Sequence, residues 1–342
     1  MTPPALARQA DGASPRLLDA LVEALAPERL DAAVPAALWE RALGGPLLDF
    51  ARRPGKELRA RLAELAWLLA GGRGPVPPPV PLVVEGLHAG SLIVDDVQDD
   101  ARERRGAPAL HVVAGVPVAI NSGNWLYFWA LAQLDQLDAA PVARARMHQA
   151  AVATLLACHQ GQALDLTVRA HELDPARAPA VVAAITRGKT AALMGLGPRL
   201  AALTAGADDE RAALLARLGE DLGTGLQMLD DLGGLGRARR AKGLEDLRGG
   251  RATWPWAWLA LTTDHLAYVR LQHRARAGAE RADDDELEAV AEALRAEIDA
   301  HGRAAAHALI HDALARTRVT LGDSATLTAL AAEARRLEES YG

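Results

Sequence analysis

Helical periodicity recurs in almost every segment of this sequence, and it constrains the fold more than any other feature. Leucines at 58, 62, 65 and 69 repeat at three- and four-residue spacing, which predicts an amphipathic helix. Leu82 to Asp99 predicts a long, mostly buried helix. Further helices are predicted across 117–137, 143–170, 178–205, 209–235 and 284–341, the last with internal breaks. Because no run alternates between apolar and polar residues, the chain is predicted to be all-α.

Proline and glycine mark the predicted ends of helices and of the domain. The run Gly71–Pro81 contains both residue types repeatedly, which predicts a loop. Residues 1–15 are predicted to be a loose N-terminal leader. Nothing between 16 and 342 reads as a domain linker, so these residues are predicted to form a single large helical domain.

Charge and cysteine content exclude several classes of protein. A net charge of −6 disfavours binding to nucleic acid. Cys158 is the one cysteine, which excludes an intrachain disulfide and fits a cytoplasmic location. The apolar stretch Pro117–Leu134 carries Asn121 and Asn124, so a buried helix is favoured there and no stable membrane insertion is expected.

Three aspartates at the end of an apolar run are the first sign of chemistry. Asp95, Asp96 and Asp99 follow directly after Ser91–Val94. On a helix, Asp95 and Asp99 lie one turn apart on the same face. Mg²⁺ commonly binds one or two carboxylates and completes its shell with water and phosphate oxygens. A solvated run of charges is the alternative, but carboxylates at the end of a buried helix need a counter-charge.

Basic residues flank these acids in a pattern that suits a diphosphate. Arg104, Arg105 and Gly106 follow the aspartates, and guanidinium groups bind phosphate oxygens in pairs. His88 lies seven residues before Asp95, which places it on the same helical stripe, two turns earlier. The segment therefore predicts a site for metal ions and a diphosphate.

These motifs resemble those of the trans-isoprenyl diphosphate synthase (polyprenyl synthetase) family. His88–Asp99 with Arg104-Arg105-Gly106 resembles the first aspartate-rich motif of that family. Pro54–Arg59 resembles its Gly-Gly-Lys-Arg-x-Arg segment, although Pro54 and Glu57 depart from the pattern. The resemblance covers about residues 45–260 and implies the isoprenoid synthase type I fold, a helical bundle with a central cavity.

The resemblance also implies substrates and the residues that bind them. The homoallylic substrate, isopentenyl diphosphate, is expected to bind Lys56, Arg59, His88 and Arg105. Lys189 is expected to contact the diphosphate of an allylic prenyl diphosphate. Thr190 and Gln162 are expected to support the site or the reacting cation.

The segment Gln227–Gly234 resembles the second aspartate-rich motif. Asp230 and Asp231 are present, but Gly234 replaces the last aspartate of the family pattern. Gln227 and, further on, Lys242 are expected to bind substrate, and Asp246 also falls in a stretch similar to the family.

The mechanism implied by the resemblance uses magnesium to ionise the allylic substrate. The two motif helices are expected to face each other across the cavity and to hold two or three Mg²⁺ ions. The expected ligands are Asp95, Asp96, Asp99, Asp230 and Asp231. Arg104, Lys189 and Lys242 are expected to stabilise the departing diphosphate. A homodimer is carried over from the family.

The predicted chain-length pocket gives two opposing indications of product length. The resemblance implies that small residues at Gly90 and Ser91 leave the shaft open and allow products of C20 or longer. Trp125, Phe128 and Trp129 follow helical spacing and could be core residues. If they line the shaft instead, they would close it near C15.

Three other functions remain open from the sequence. A class I terpene cyclase would explain Gly234 and the seven tryptophans, but it would not need the cations expected to bind isopentenyl diphosphate. The complete first motif disfavours a non-catalytic partner subunit, and the many matches in the same order along the chain disfavour a helical scaffold with accidental acids. His307 and His311 lie one turn apart with no acidic residue between them that could act as partner, and they are interpreted as structural.

Overall fold

A computed structural model describes residues 15–340, and these residues are about 80% helical. The residues at the two ends, 1–14 and 341–342, lie outside the described part, so the predicted leader falls almost wholly outside it. The α-helices, in chain order α1 to α16, are Pro15–Ala24, Ala36–Trp39, Gly45–Ala51, Leu58–Leu69, Pro79–Gln98, Leu110–Ala114, Val116–Ala132, Pro141–Thr167, Ala178–Thr186, Ala192–Thr204, Asp209–Gly234, Arg240–Arg248, Trp254–Thr262, His265–Arg281, Asp284–Leu321 and Ala325–Glu339.

Short elements connect these helices. Two π-helical segments, Glu40–Gly44 and Arg187–Ala191, continue α2 into α3 and α9 into α10. The 3₁₀ segments are Pro27–Arg29, Gln133–Gln136, Ala170–Glu172 and Arg237–Arg239. A two-stranded antiparallel ribbon pairs β1 (Glu103–Arg104) with β2 (Ala107–Pro108).

The described chain divides into two compact units. The first unit runs through residue 151 and adds 197–212, and the second contains 152–196 and 213 onward. The single domain over residues 16–342 stays a prediction, because this division into compact units does not test it.

The first unit is built around α5. This helix packs against α7 along most of its length and against α4 on another side, and α1, α3 and α6 complete the core. The core cluster includes Leu21, Phe50, Ile93 and Leu126, each about 1% exposed or less. Burial of such side chains stabilises the fold by about 1.5–3 kcal/mol each. The core therefore holds α5, which carries the aspartates at its C-terminal end, in place.

The second unit is built around α13, which packs against α9 and α15. Trp256 and Trp258 on α13 are almost completely buried. Side-chain caps begin the C-terminal helices: Asp264, Asp283 and Ser324 accept hydrogen bonds from the first turns of α14, α15 and α16.

Most helix predictions are confirmed, with two corrections. Helix α5 begins at Pro79, so the end of the predicted loop Gly71–Pro81 is helical. Proline is accepted in the first turn of a helix because the N–H groups there have no intrahelical partner. The ribbon β1–β2 was also not predicted, because strands of two residues are too short to show alternation.

Among the described residues, no helix has the length and apolarity that a membrane crossing requires.

Candidate active site

The acidic end of α5 presents two of its three aspartates to the surface. Asp95 and Asp99 are both partly exposed, and the Asp99 N–H donates to the Asp95 carbonyl at 2.9 Å as the helix ends. Asp96 is fully buried on another side of the helix. Burial raises the pKa of Asp96, although the neighbouring Arg104 opposes this effect. Asp95 and Asp99 are thus accessible to a cation, whereas Asp96 points into protein.

Asp96 fixes the position of Arg104. The Arg104 Nε donates to Asp96 Oδ1 at 2.7 Å, and Nη2 of the same guanidinium also contacts that oxygen. Such charge-assisted, two-point contacts set the orientation of a guanidinium as well as its position. The predicted residues Asp96 and Arg104 are therefore brought together as an ion pair next to the turn of the ribbon.

The turn of the ribbon explains why Arg105 is followed by glycine. Arg105 has φ 56° and Gly106 φ 75°, and a two-residue hairpin loop of this kind needs positive φ at both positions. Arg105 is not glycine, so its conformation is strained. Its guanidinium lies 5.7 Å from the centre of the Phe50 ring.

Cations and a histidine form a half-buried group beside this turn. Burial, with the guanidinium charges of Arg59 and Arg105, lowers the pKa of His88 well below its usual range. The imidazole is therefore neutral and donates one hydrogen bond without adding charge. Glu85 is buried nearby, and its Oε1 accepts from the N–H of Ala60 at 3.2 Å, which caps α4.

Lys56 lies four residues before Ala60, in the segment that leads into α4. Gly55 lies directly under Arg105: a Cβ added at Gly55 would be 3.1 Å from Arg105 Nη1. The first unit thus gathers Arg59, His88 and Arg105 in one cationic cluster, and the charge of Arg104 also acts on His88.

Gly90 does not line an open shaft. A Cβ added there would lie 2.7 Å from the carbonyl oxygen of Gly123 on α7 and 3.2 Å from Leu126 Cβ. Gly90 is therefore small because α5 and α7 cross in close contact at this point. The chain-length prediction for Gly90 needs this correction. Ser91 is partly exposed, and its hydroxyl donates to the His88 carbonyl at 2.8 Å.

The aromatic residues of α7 divide between core and surface. Trp125 and Trp129 stack with centroids 6.0 Å apart and pack against the core of the first unit. Phe128 is 73% exposed, so the prediction that it lines the pocket is not supported by its position. Trp125 and Trp129 lie one turn apart and pack on the core, whereas Phe128 projects toward solvent.

In the second unit, a π-helical segment carries Lys189 and Thr190. Gly161 on α8 packs directly against it, since a Cβ at Gly161 would lie 2.3 Å from the Lys189 backbone nitrogen. Gly188 meets Gly161 from the other side in the same way. Extra residues in a helical turn often mark functional positions because they redirect side chains. Here the segment turns Lys189 and Thr190 to polar partners.

Both side chains bond to polar residues of the same unit. Lys189 Nζ donates to Asp165 Oδ2 at 2.6 Å, and Arg251 Nη1 donates to the same oxygen at 3.1 Å. Thr190 Oγ1 donates to Gln227 Oε1 at 3.1 Å. Gln162, next to Gly161 on α8, is partly exposed.

Asp230 is held by two cations. Arg239 Nη2 donates to Asp230 Oδ1 at 2.6 Å, and Lys242 Nζ contacts Oδ2. Burial alone would raise the pKa of Asp230, but the two cations outweigh it and hold that pKa below its usual value. Asp230 is therefore ionised in the folded protein.

Asp231 and Asp246 behave in the opposite way. Burial raises the pKa of Asp231 to about 6, although the Trp254 N–H and the Gln227 side-chain amide donate to it at 3.0 and 2.7 Å. Burial and the charge of Asp231 raise the pKa of Asp246 to about 7. Close contact between α11 and α12 brings these acids together, because a Cβ at Gly243 would lie 2.2 Å from the Gly234 carbonyl oxygen.

The donor set fits hard divalent cations. Asp95 and Asp99 in the first unit, and the crowded carboxylates of Asp230, Asp231 and Asp246 in the second, offer only oxygen ligands, as Mg²⁺ prefers. Burial is the main cause of the raised pKa values of Asp231 and Asp246, and the positive charge of Lys242 only partly offsets it. A bound divalent cation would supply further positive charge.

Sequence reasoning missed Arg239 and Glu85. Arg239 lies in a run of three arginines among residues 237–240, and nothing in that run distinguishes the one that reaches Asp230. Glu85 offered a signal, since it is the one charged residue inside the apolar stretch 82–94 apart from His88.

Comparison with known proteins relates the chain to one family. The family model described as "Polyprenyl synthetase" matches residues 40–294. Geranylgeranyl pyrophosphate synthase 2 of Zymoseptoria tritici is 36% identical over 221 residues, which is 63% of this chain and 64% of that protein. Geranylgeranyl pyrophosphate synthase of Dictyostelium discoideum is 33% identical over 150 residues, 44% and 46% of the two chains. These alignments span less than two thirds of either relative.

Solved structures share the fold over almost the full length. A geranylgeranyl pyrophosphate synthase from Corynebacterium glutamicum, complexed with isoprenyl diphosphate and magnesium, superposes with a TM-score of 0.78 at 24% identity, covering 95% of this chain and 96% of the other. A decaprenyl diphosphate synthase from Rhodobacter capsulatus gives 0.76 at 24% identity, covering 95% and 99%. The all-α fold of the isoprenoid synthases, predicted from the sequence, is confirmed.

Proposed function

Because the chain belongs to the polyprenyl synthetase family, we propose that it is a trans-prenyltransferase that condenses an allylic prenyl diphosphate with isopentenyl diphosphate. One observation carries the choice of reaction. The cluster of Arg59, His88 and Arg105 is a cationic site additional to the acids, and a reaction with a single diphosphate substrate would not need it. The names of the curated relatives support the same activity.

The carboxylates of both aspartate-rich motifs would bind two or three Mg²⁺ ions. Asp95, Asp99 and Asp230 are the proposed direct ligands, with Asp231 beside them. Bound Mg²⁺ would neutralise charge on the diphosphate and favour its departure. Asp96 is proposed to act through Arg104, because it is fully buried and paired with that guanidinium.

The departing diphosphate gains charge as the allylic carbon–oxygen bond breaks. Lys189, Lys242 and Arg104 are proposed to stabilise that charge. Arg239 is proposed to join them, because it shares Asp230 with Lys242 and would lie beside any ion that Asp230 held. The pair Thr190 and Gln227 is held by a hydrogen bond of 3.1 Å and would present oxygen atoms to the allylic cation.

Isopentenyl diphosphate is the proposed nucleophile. Lys56, Arg59 and Arg105 would neutralise its diphosphate, and the neutral His88 would donate a hydrogen bond. Its double bond attacks the allylic cation, and a proton is then lost to the released diphosphate. Water must be excluded during this step because it would trap the cation.

Product length is proposed to be C20, within the predicted range of C15–C20 or longer. The relatives named geranylgeranyl pyrophosphate synthases support this length. Ser91 is the remaining candidate on α5 for setting product length, because α7 packs directly against Gly90.

A homodimer is proposed on the basis of an exposed apolar stripe along α7. Val116, Ile120 and Phe128 follow helical spacing and are 44%, 40% and 73% exposed. Apolar stripes of this kind mark contact surfaces for another protein. A cytoplasmic location also stays a proposal.

Incubation with an allylic diphosphate and Mg²⁺, with and without isopentenyl diphosphate, tests the proposal. A transferase yields longer diphosphates only when isopentenyl diphosphate is present. Hydrocarbons or alcohols from the allylic substrate alone would instead indicate a terpene cyclase, which the substitution at Gly234 favours. Arg59→Ala separates the two further, because it should raise the KM of isopentenyl diphosphate and leave ionisation of the allylic substrate intact.

A further inference from the structure

Two histidines and a glutamate meet in the C-terminal helices of the second unit. His307 and His311 lie one turn apart on α15, and Glu338 is near the end of α16. A turn at 322–324 joins the helices, with Gly322 at φ 79°. These residues lie beyond the part of the chain that the family model matches.

Helix geometry explains why such distant residues meet. His307 and His311 lie about 15–21 Å before the end of α15, at 1.5 Å per residue. Glu338 lies about 20 Å after the start of α16 by the same measure. Since α16 packs back along α15, the three side chains reach the same level. The interpretation of both histidines as lacking an acidic partner is therefore revised.

Three potential ligand atoms converge in this place. His307 Nδ1 is 2.5 Å from Glu338 Oε1, and His311 Nε2 is 3.5 Å from the same oxygen. All three atoms lie within 4.8 Å of one another. Ligand atoms around a tetrahedral Zn²⁺ at 2.0–2.1 Å lie about 3.3 Å apart. Small side-chain rotations would therefore bring all three to bonding distance of one ion.

Burial and exposure are distributed as in a metal site open on one side. The Glu338 side chain is only 5% exposed, so its carboxylate needs a positive partner close by. The imidazoles are 39% and 59% exposed, which leaves a path for an ion and room for a water ligand. A simple ion pair would engage one imidazole, whereas here two rings approach one oxygen.

We propose that His307, His311 and Glu338 bind a divalent transition metal ion such as Zn²⁺, which links α15 to α16. Two imidazole nitrogens and one carboxylate oxygen suit Zn²⁺, Co²⁺ or Ni²⁺ and are a poor set for Mg²⁺. The ion would stabilise the helical hairpin and take no part in prenyl transfer.

Isothermal titration calorimetry tests this site: Zn²⁺ is titrated into the full chain in the presence of excess Mg²⁺. Excess Mg²⁺ competes with Zn²⁺ for the carboxylate clusters, and His311→Ala leaves those clusters unchanged, so the difference between wild type and His311→Ala reports the proposed site. We expect wild type to bind one more Zn²⁺ than His311→Ala, and Glu338→Gln to weaken that binding. The loss of Zn²⁺ affinity should exceed the about 10–100-fold loss that follows when an outer-shell partner of a metal site is replaced.

His301→Ala is the matched control, because His301 is an exposed histidine on the same helix. It should bind Zn²⁺ as wild type does. Co²⁺ should also give the visible absorption of a low-coordinate site in wild type and not in His311→Ala. Equal Zn²⁺ titrations of wild type and His311→Ala would overturn the proposal, as would equal loss in His301→Ala. Since His311 is exposed, its variant is expected to fold, which circular dichroism checks.

Discussion

Replacing Asp246 with asparagine should stabilise the metal-free protein. Asp246 lies close to Asp231 in a buried setting, and burial and that charge raise its pKa to about 7. In the unfolded chain its pKa returns to about 3.9. At pH 7.5 the folded protein must hold two nearby carboxylates ionised, and asparagine removes one of these charges without changing the shape of the side chain.

The expected gain follows from the shift in pKa. A rise of about three units corresponds to about 4 kcal/mol at 1.36 kcal/mol per unit. This is an upper bound, because Asp231 and Asp246 titrate together and Asp246 is partly exposed. We therefore expect Asp246→Asn to raise the free energy of unfolding by about 1–3 kcal/mol at pH 7.5.

The pH dependence of stability provides a second test of the direction of this effect. Between about pH 4 and pH 7 the folded protein holds a proton on Asp246 that the unfolded chain has released. Stability of metal-free wild type therefore falls as pH rises through this window, since the folded state binds more protons. At pH 5 folded Asp246 is protonated, so the advantage of asparagine should be at most about half as large.

Urea unfolding in EDTA at pH 5 and pH 7.5, followed by circular dichroism, measures both quantities. Asp312→Asn is the matched control, because Asp312 is an exposed aspartate in the same unit, and it should change stability little. Adding Mg²⁺ and inorganic pyrophosphate should reduce the advantage of Asp246→Asn, since a cation compensates the carboxylates of wild type. If Asp246→Asn is no more stable than wild type at pH 7.5 in EDTA, the reasoning about uncompensated charge is wrong.

Three further substitutions test other parts of the site. Gly55→Ala places a Cβ 3.1 Å from Arg105 Nη1, so we expect a severalfold higher KM for isopentenyl diphosphate and an almost unchanged KM for the allylic substrate in steady-state assays. Gly161→Val forces atoms against the Lys189 backbone nitrogen, and thermal unfolding should show a loss of about 1–3 kcal/mol or more; an unchanged Tm would contradict the close packing. Gly234→Asp fits, with its Cβ 3.5 Å from the nearest atom, and should give equal or faster condensation; a clear loss of rate would refute the view that a carboxylate is missing there.

The helices were largely predictable because the periodic pattern of leucine and alanine is local. The predicted segment 209–235 agrees with α11 to one residue, and the predicted 178–205 differs only in containing a π-helical turn. The start of α5 was misplaced because proline excludes a helix interior but not a first turn. Two-residue strands leave no periodic pattern at all.

The positions of the motif residues along their helices were predictable, but the partner of each side chain was not. The spacing of Asp95 and Asp99 on one face follows from helical geometry alone. That Asp96 is buried against Arg104 depends on the ribbon turning back over α5, which is a tertiary contact. Gly90 shows the same limit, since a small residue can open a cavity or admit a neighbouring helix, and only the position of α7 decides between them.

The ion pairs of the second unit connect the metal-binding and diphosphate-binding roles of its residues. Lys242 and Arg239 are paired with Asp230, the carboxylate proposed to bind metal. A cation bound to Asp230 would compete with these ion pairs and make Lys242 and Arg239 more available to an anion such as a diphosphate. Conversely, an anion that draws Lys242 and Arg239 away would leave Asp230 in need of a cation. Each ligand would therefore lower the electrostatic cost of binding the other, so we expect magnesium and diphosphate to bind more tightly together than either does alone. The half-buried carboxylate of Asp230 would stay compensated in both cases.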